Sequence, residues 1–226
     1  MDKLLIIPEI FGNKVVACFT GRKIGADPEG LSKLPLFAER RIYLPIQRHT
    51  DKVLRLGSDF EPKVADAVIT NRKDIIIGIR TADCVPVILC DTKTHAIGAV
   101  HAGWRGTAVG ILRKTIRAME DCFGSSASNM LVAVGPSIKG CCYNVGYEVI
   151  EAVEFATGKG ELWKKQGERY FLDLSLANKQ QAMSSGVPPG NIWISEDCTF
   201  CLPEKYYSYR YAKDYTGRQG GFIGIV

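Results

Sequence analysis

Histidine is scarce in this chain: 226 residues contain three, at positions 49, 95 and 101. Long runs of one character are missing too. No uninterrupted apolar stretch approaches the roughly 18 residues of a membrane-spanning helix, so a membrane partner is not expected. No block of about six consecutive lysines or arginines occurs, and the net charge of +5 is spread along the chain. Sequence-independent binding to nucleic acid therefore has no basis. Residues 1–20 lack both a basic start and a long apolar centre, so no signal peptide is expected, and the cytoplasm is the expected location. Without a secretion signal, the eight cysteines are expected to be reduced, buried or metal-bound rather than paired in a disulfide framework. No repeat, low-complexity tract or linker divides the chain. With 46% hydrophobic residues, residues 1–226 are expected to form one domain with a substantial core.

What the chain does have is concentrated between Thr81 and Gly106. Two apolar runs, Val85 to Leu89 and Ala96 to Val100, read as short strands, and Asp91 to Thr94 between them is a polar connection of hairpin length. Cys84 stands just before the first run and His101 just after the second. Antiparallel pairing would bring the thiol and the imidazole to one sheet edge. That arrangement serves a soft-metal site or a Cys/His nucleophile pair. Downstream, Gly103-Trp104-Arg105-Gly106 leads to Thr107, which is expected to cap a helix reaching about Phe123 with Val109, Leu112, Ile116 and Met119 on one face. Its N-terminus would lie close to His101 and could attract an anion.

Elsewhere the pattern predicts strands at Leu4–Ile10, Lys14–Phe19, Arg40–Ile46, Asp66–Thr70, Ile75–Ile79, Met130–Val134, Ile192–Ile194, Tyr206–Tyr211 and Gly221–Val226. Ile75–Ile79 lacks alternation, as a strand buried on both faces does. Helices are expected over Val145–Phe155 and Asp173–Ser185, the second capped near Asp173 and stopped by Gly186. Gly25 to Pro35 looks irregular, and Gly158 to Arg169 a polar surface excursion. The Gly21-Arg22-Lys23-Ile24-Gly25 turn could wrap an anion. His95 is expected to be exposed. Cys141 and Cys142 are adjacent and vicinal cysteines rarely bridge each other; one could be an added ligand, but they are read first as small buried packing residues. Cys198-Thr199-Phe200-Cys201 would suggest structural zinc if a second C-x-x-C existed; none does, so buried thiols are expected.

If His49, Cys84 and His101 meet, two imidazoles and a thiolate match borderline-soft Zn²⁺, and three protein ligands leave a position open for catalysis. Copper accepts the same donors, but no methionine near these motifs offers the weak axial ligand of a blue-copper site. Arg22, Arg105 and Arg210 are the candidates for holding phosphate or another anionic group.

TADCVPVILCD, AVHAGWRG and VGPSIKGCCYNVG together closely resemble the laccase-domain (multicopper polyphenol oxidase) family, now read largely as purine nucleoside phosphorylases and including bacterial peptidoglycan editing factors. The resemblance implies an α+β fold, a single domain with mixed sheets flanked by helices, of the cytotoxic-necrotizing-factor-like cysteine hydrolase type. It implies one zinc held by His49 of the Gln-x-His motif, Cys84 of TADC and His101 of HAGWRG. It also implies phosphorolysis of adenosine, inosine and methylthioadenosine, with adenosine deamination beside it. The expected partners are a purine nucleoside and phosphate, in a monomer or homodimer. The alternatives are a metal-free Cys84/His101 hydrolase or amidase acting on cell-wall precursors, a non-catalytic binding protein, and a copper-dependent polyphenol oxidase. The chain departs from the family at Arg48, Thr50, Asn144 and Tyr211, where Val, Gly, Glu and Arg are usual; these changes bear on substrate choice.

Overall fold

The computed structural model describes residues 5–13, 15–38, 40–213 and 216–226. From the N-terminus the chain forms β1 (Leu5–Ile6), β2 (Val15–Thr20), a short helix α1 (Pro28–Ser32), β3 (Arg41–Tyr43), β4 (Val53–Arg55), β5 (Ala67–Thr70), β6 (Ile75–Thr81), β7 (Val85–Asp91) and β8 (Ile97–Ala102). Helices α2 (Trp104–Ala108) and α3 (Ile111–Phe123) follow, then β9 (Met130–Val134), β10 (Asn144–Val145), α4 (Tyr147–Thr157), β11 (Trp163–Gln166) and β12 (Arg169–Leu172). The remainder is α5 (Leu174–Ser184), β13 (Ile192–Ile194), α6 (Tyr209–Ala212) and β14 (Gln219–Ile225).

Two mixed sheets carry the architecture, in the orders β1-β2-β14-β6-β3 and β13-β9-β7-β8-β5-β4. The pleat explains how they stack, because alternate residues of a strand face opposite sides. In β6, Ile75, Ile77 and Ile79 point into a core shared with Val68, Ile88, Ala99 and Ile97 of the larger sheet. Ile76 points the other way, toward Leu31, Phe37 and Phe222. In β7, Ile88 and Cys90 face the smaller sheet, while Val85, Val87 and Leu89 face helices α3 to α5. Both sheets are therefore covered on both faces, which is why Ile75–Ile79 and Val85–Leu89 read as continuous apolar runs. Gly78 lies directly opposite Phe222; a Cβ at Gly78 would stand 2.4 Å from that ring. β10, β12 and β11 form a small separate sheet.

Most expected strands stand where the pattern puts them, with several corrections. Of Leu4–Ile10 only Leu5–Ile6 is a strand, and Leu4 and Lys14 lie outside the described residues. Gly25–Pro35 contains α1, whose start is capped by the Asp27 carboxylate accepting from the Gly30 N–H. The supposed excursion at 158–169 contains β11, paired with β12. Val53–Arg55 was not expected as a strand; its pairing with β5 completes the sheet edge. The run from Tyr206 to Tyr211 is not a strand: it is a loop leading into α6, capped by Ser208 accepting from the Tyr211 N–H. The expected 107–123 helix is two helices, broken at Gly110 in left-handed conformation with φ 71°. Thr107 lies inside α2 rather than capping it. Leu112, Ile116 and Met119 are buried as expected, but Val109 is exposed. His95 is half-buried, not exposed.

Candidate active site

β7 and β8 pair antiparallel, with Pro86 opposite His101 and Val85 opposite Ala102. This register brings Cys84, just before β7, to the edge where His101 closes β8; His101 lies within the strand rather than after it. The third group arrives from a loop. Ile46 bridges Val64, and Gln47 clamps the main chain of Arg80 in both directions: its amide donates to the Arg80 carbonyl at 2.7 Å and accepts from the Arg80 N–H at 2.8 Å. His49 itself has a left-handed backbone, φ 58°. One ligand-grade atom from each of His49, Cys84 and His101 lies within 4.8 Å of the others. Cys84 Sγ is 3.9 Å from His49 Nε2, and the two imidazole rings are 4.8 Å apart, tilted by 72°.

Asp66, read from the sequence only as the start of a strand, organises this cluster. It is buried. Its Oδ1 contacts His101 Nδ1 at 2.8 Å and accepts from the His49 N–H at 3.0 Å. Its Oδ2 accepts from Arg48 N–H at 3.2 Å, Thr50 N–H at 2.6 Å and the Thr50 hydroxyl at 2.8 Å. Burial alone would raise this carboxyl, but the His101 and Thr50 hydrogen bonds prevail and hold it well below the usual carboxylate range. A histidine needs such a partner to fix its tautomer; His101 with its Nδ1–H on Asp66 leaves Nε2 free toward Cys84.

The electrostatics of the pair follow. Burial would raise the Cys84 thiol, yet the His101 charge and hydrogen bonds from both histidines bring it down to about 6. Burial opposes a charge on His101, yet the Cys84 charge and Asp66 raise it to about 9. Both shifts run toward a thiolate beside an imidazolium, each charge favouring the other. Gly103 gives the cluster its space: a Cβ there would stand 3.0 Å from Cys84 Sγ and 3.1 Å from His49 Cδ2. Two imidazoles, a thiolate and this cradle can hold one metal ion; Zn²⁺ accepts these donors, and copper does too but without the axial ligand of a blue-copper site among the described residues.

The cluster lines a cavity of about 870 Å³ together with Arg48, Arg80, Arg105, Arg210 and Arg218. Arg105 and Arg210, two of the expected anion-binding residues, thus reach it; Arg22 does not. The Arg22 guanidinium donates to the Tyr206 carbonyl at 3.3 Å and lies over the Tyr207 ring, a packing role. Arg210 lies over Tyr143, and its N–H donates to Asp83 Oδ2 at 2.7 Å. Asp83 also accepts from the Thr199 hydroxyl at 2.6 Å. Thr81 and Thr216 line the cavity, and their hydroxyls are buried without a hydrogen-bond partner among the described residues.

The multi-copper polyphenol oxidoreductase laccase family matches residues 29–226. A purine nucleoside phosphorylase of Aquifex aeolicus is 43% identical over 167 residues, covering 74% of this chain and 75% of that protein. The purine nucleoside phosphorylase YfiH of Escherichia coli is 34% identical over 182 residues, 80% of this chain and 72% of its own. Among solved structures, the hypothetical protein YfiH of Bacillus licheniformis superposes with a TM-score of 0.89 at 26% identity, covering 100% of this chain and 98% of that one. YlmD of Geobacillus stearothermophilus gives 0.89 at 25%, covering 100% and 97%. Sequence match and backbone likeness thus agree over the same strands that carry Cys84 and His101, and the chain belongs to the multi-copper polyphenol oxidoreductase laccase family.

Proposed function

We propose that this chain is a zinc-dependent purine nucleoside phosphorylase acting on adenosine, inosine and S-methyl-5'-thioadenosine, with adenosine deamination as a second activity. The observation that carries the proposal is the convergence of His49, Cys84 and His101 at a cavity ringed by five arginines. The names of the relatives support the same reading. Zn²⁺ held by these three residues would supply a Lewis acid with an open position, able to polarise a substrate oxygen or acidify water. The arginines hold and neutralise phosphate, which attacks the anomeric carbon as the C–N bond to the purine breaks. Tyr143 and Trp104 give the cavity apolar faces for the base and sugar.

Incubation with inosine, with and without inorganic phosphate, tests the reading. Hypoxanthine and ribose 1-phosphate should form only with phosphate, and His101→Ala should abolish the reaction. Hypoxanthine release independent of phosphate, or none at all, would overturn it.

The Cys84–His101–Asp66 alignment supports a second reading, a metal-free cysteine hydrolase or amidase of the cytotoxic-necrotizing-factor type, with Cys84 as nucleophile, His101 as base and Asp66 as its orienter. His49 is neither nucleophile, base nor orienter in that chemistry and only helps to lower the thiol. Loss of metal and activity together in His49→Ala favours the phosphorylase; amidase activity surviving in metal-free His49→Ala favours the hydrolase.

A further inference from the structure

Four cysteines take no part in the site described above. Cys141 and Cys142 follow β9, and Cys198 and Cys201 follow β13, some 60 residues later. The fold brings them together for a simple reason. β9 and β13 pair in parallel, ending with Val134 beside Ile194, so their connections leave the sheet side by side. The pairing continues past the strands: Ser137 bridges Cys198, and the Thr199 N–H donates to the Ser137 carbonyl at 3.1 Å. All four Sγ atoms lie within 4.8 Å of one another. Cys142 Sγ is 3.2 Å and Cys141 Sγ 3.7 Å from Cys201 Sγ. All four are free thiols, and the 3.2 and 3.7 Å separations to Cys201 exceed the roughly 2.05 Å sulfur–sulfur bond.

We propose that Cys141, Cys142, Cys198 and Cys201 bind a second zinc ion, a structural one, through four thiolates. Sulfurs placed about 2.3 Å from one ion at tetrahedral angles stand roughly 3.8 Å apart, the scale of this cluster. Sulfurs around an iron–sulfur cluster must enclose several irons and sulfides and so stand further apart. The Lys139 N–H donates to Cys198 Sγ at 3.5 Å, as main-chain donors do toward metal-bound thiolate. Cys141 and Cys201 reach the surface, which gives an ion a way in. Four protein ligands fill the coordination, so this ion takes no substrate. Its effect is mechanical: it fastens the loop bearing Tyr143 to the segment leading to Arg210, the two sides of the cavity wall. Zinc displaces the thiol protons on binding and no electron transfer is involved.

The proposal is independent of the nucleoside reading and is tested without an activity assay. In His49→Ala/His101→Ala, purified without chelator, metal analysis should still find about one zinc per chain, released by a mercurial as four thiols react. In Cys142→Ser/Cys201→Ser on the native background, zinc should fall by about one equivalent. Cobalt substituted into the histidine variant should give the intense sulfur-to-metal charge-transfer bands of a tetrathiolate site; this measurement stands if the serine variant does not fold. A histidine variant purified zinc-free, with Cys141, Cys142, Cys198 and Cys201 themselves freely alkylated under native conditions, would overturn the proposal. So would a native mass two or four hydrogens light, which would show disulfides.

Discussion

At the scale of single residues, Asp66 decides whether the two histidines can act together, because one buried carboxylate holds the His101 ring and the His49 main chain. Asp66→Asn keeps the shape but loses the charge and one acceptor. Metal affinity, read by competition with a chromophoric chelator, should fall about 10–100-fold, as losses beyond the direct ligands do. Unchanged affinity would mean that packing, not Asp66, orients His101. Gly103 is a second control point. Gly103→Ala keeps ordinary backbone angles, since φ is −69°, but drives a methyl against Cys84 and His49. It should lose zinc from this site while its melting temperature without metal stays within a few degrees of the parent's. The ionisation of the pair gives a third expectation. The folded Cys84 thiol lies near about 6 and His101 near about 9. Between these, a metal ion bound here would meet a thiolate already present and displace a proton from His101. Calorimetric titration of metal-free Cys142→Ser/Cys201→Ser, which lacks the four-thiol cluster, in buffers of different ionisation heat should show about one proton released by this pair near pH 7.5, rising below about 6 as the thiol also gives up its proton. Release that stays flat from pH 5 to 9 would contradict the ion pair.

At the scale of elements, the connections carry more of the site than the strands do. The strands were legible because burial on both faces writes itself as runs such as Ile75–Ile79 and Val85–Leu89, and the hairpin length between β7 and β8 placed Cys84 beside His101. Asp66 was hidden because its role is set by a loop 17 residues upstream in the chain, and no local period marks such a contact. The thiol cluster was hidden for a related reason. The C-x-x-C at Cys198 and Cys201 has no second C-x-x-C to match it; its partner is a vicinal pair brought in by a parallel strand pairing. The tyrosine-rich stretch looked like a strand because aromatic content imitates β-propensity, but the Ser208 cap turns it into α6. Asp83 joins these connections, since its carboxylate receives both Thr199 and the Arg210 main chain from a backbone with φ 83°. Asp83→Asn tolerates that conformation and loses one charged acceptor. It should raise KM about 2–10-fold, the net value of one ordinary hydrogen bond, with zinc content unchanged. A fall in kcat alone would place Asp83 in the chemistry rather than in the wall.

At the scale of the whole molecule, two stacked sheets and a helical layer fix the floor of a cavity whose rim is positive. The net charge of +5 is modest, yet five arginines meet at one opening. Their mutual repulsion costs stability, and an anion bound among them relieves it. Binding to the folded state alone stabilises by RT ln(1 + [L]/Kd), about 2.7 kcal/mol at a hundredfold excess over Kd. Inorganic phosphate should therefore raise the melting temperature, and chloride at equal ionic strength should not. If the chain is the proposed phosphorylase, the same field acts on its catalysis. Raising salt from about 0.05 M to about 0.5 M shortens the screening length to a few ångströms. KM for phosphate should then rise severalfold while KM for inosine, an uncharged substrate, stays within about twofold. Arg105→Ala and Arg210→Ala should each flatten the salt dependence of phosphate, because each removes part of the charge that salt screens. A salt dependence equal for phosphate and inosine would show that ionic strength acts on the fold rather than on the arginine rim, and phosphate would then have to bind elsewhere.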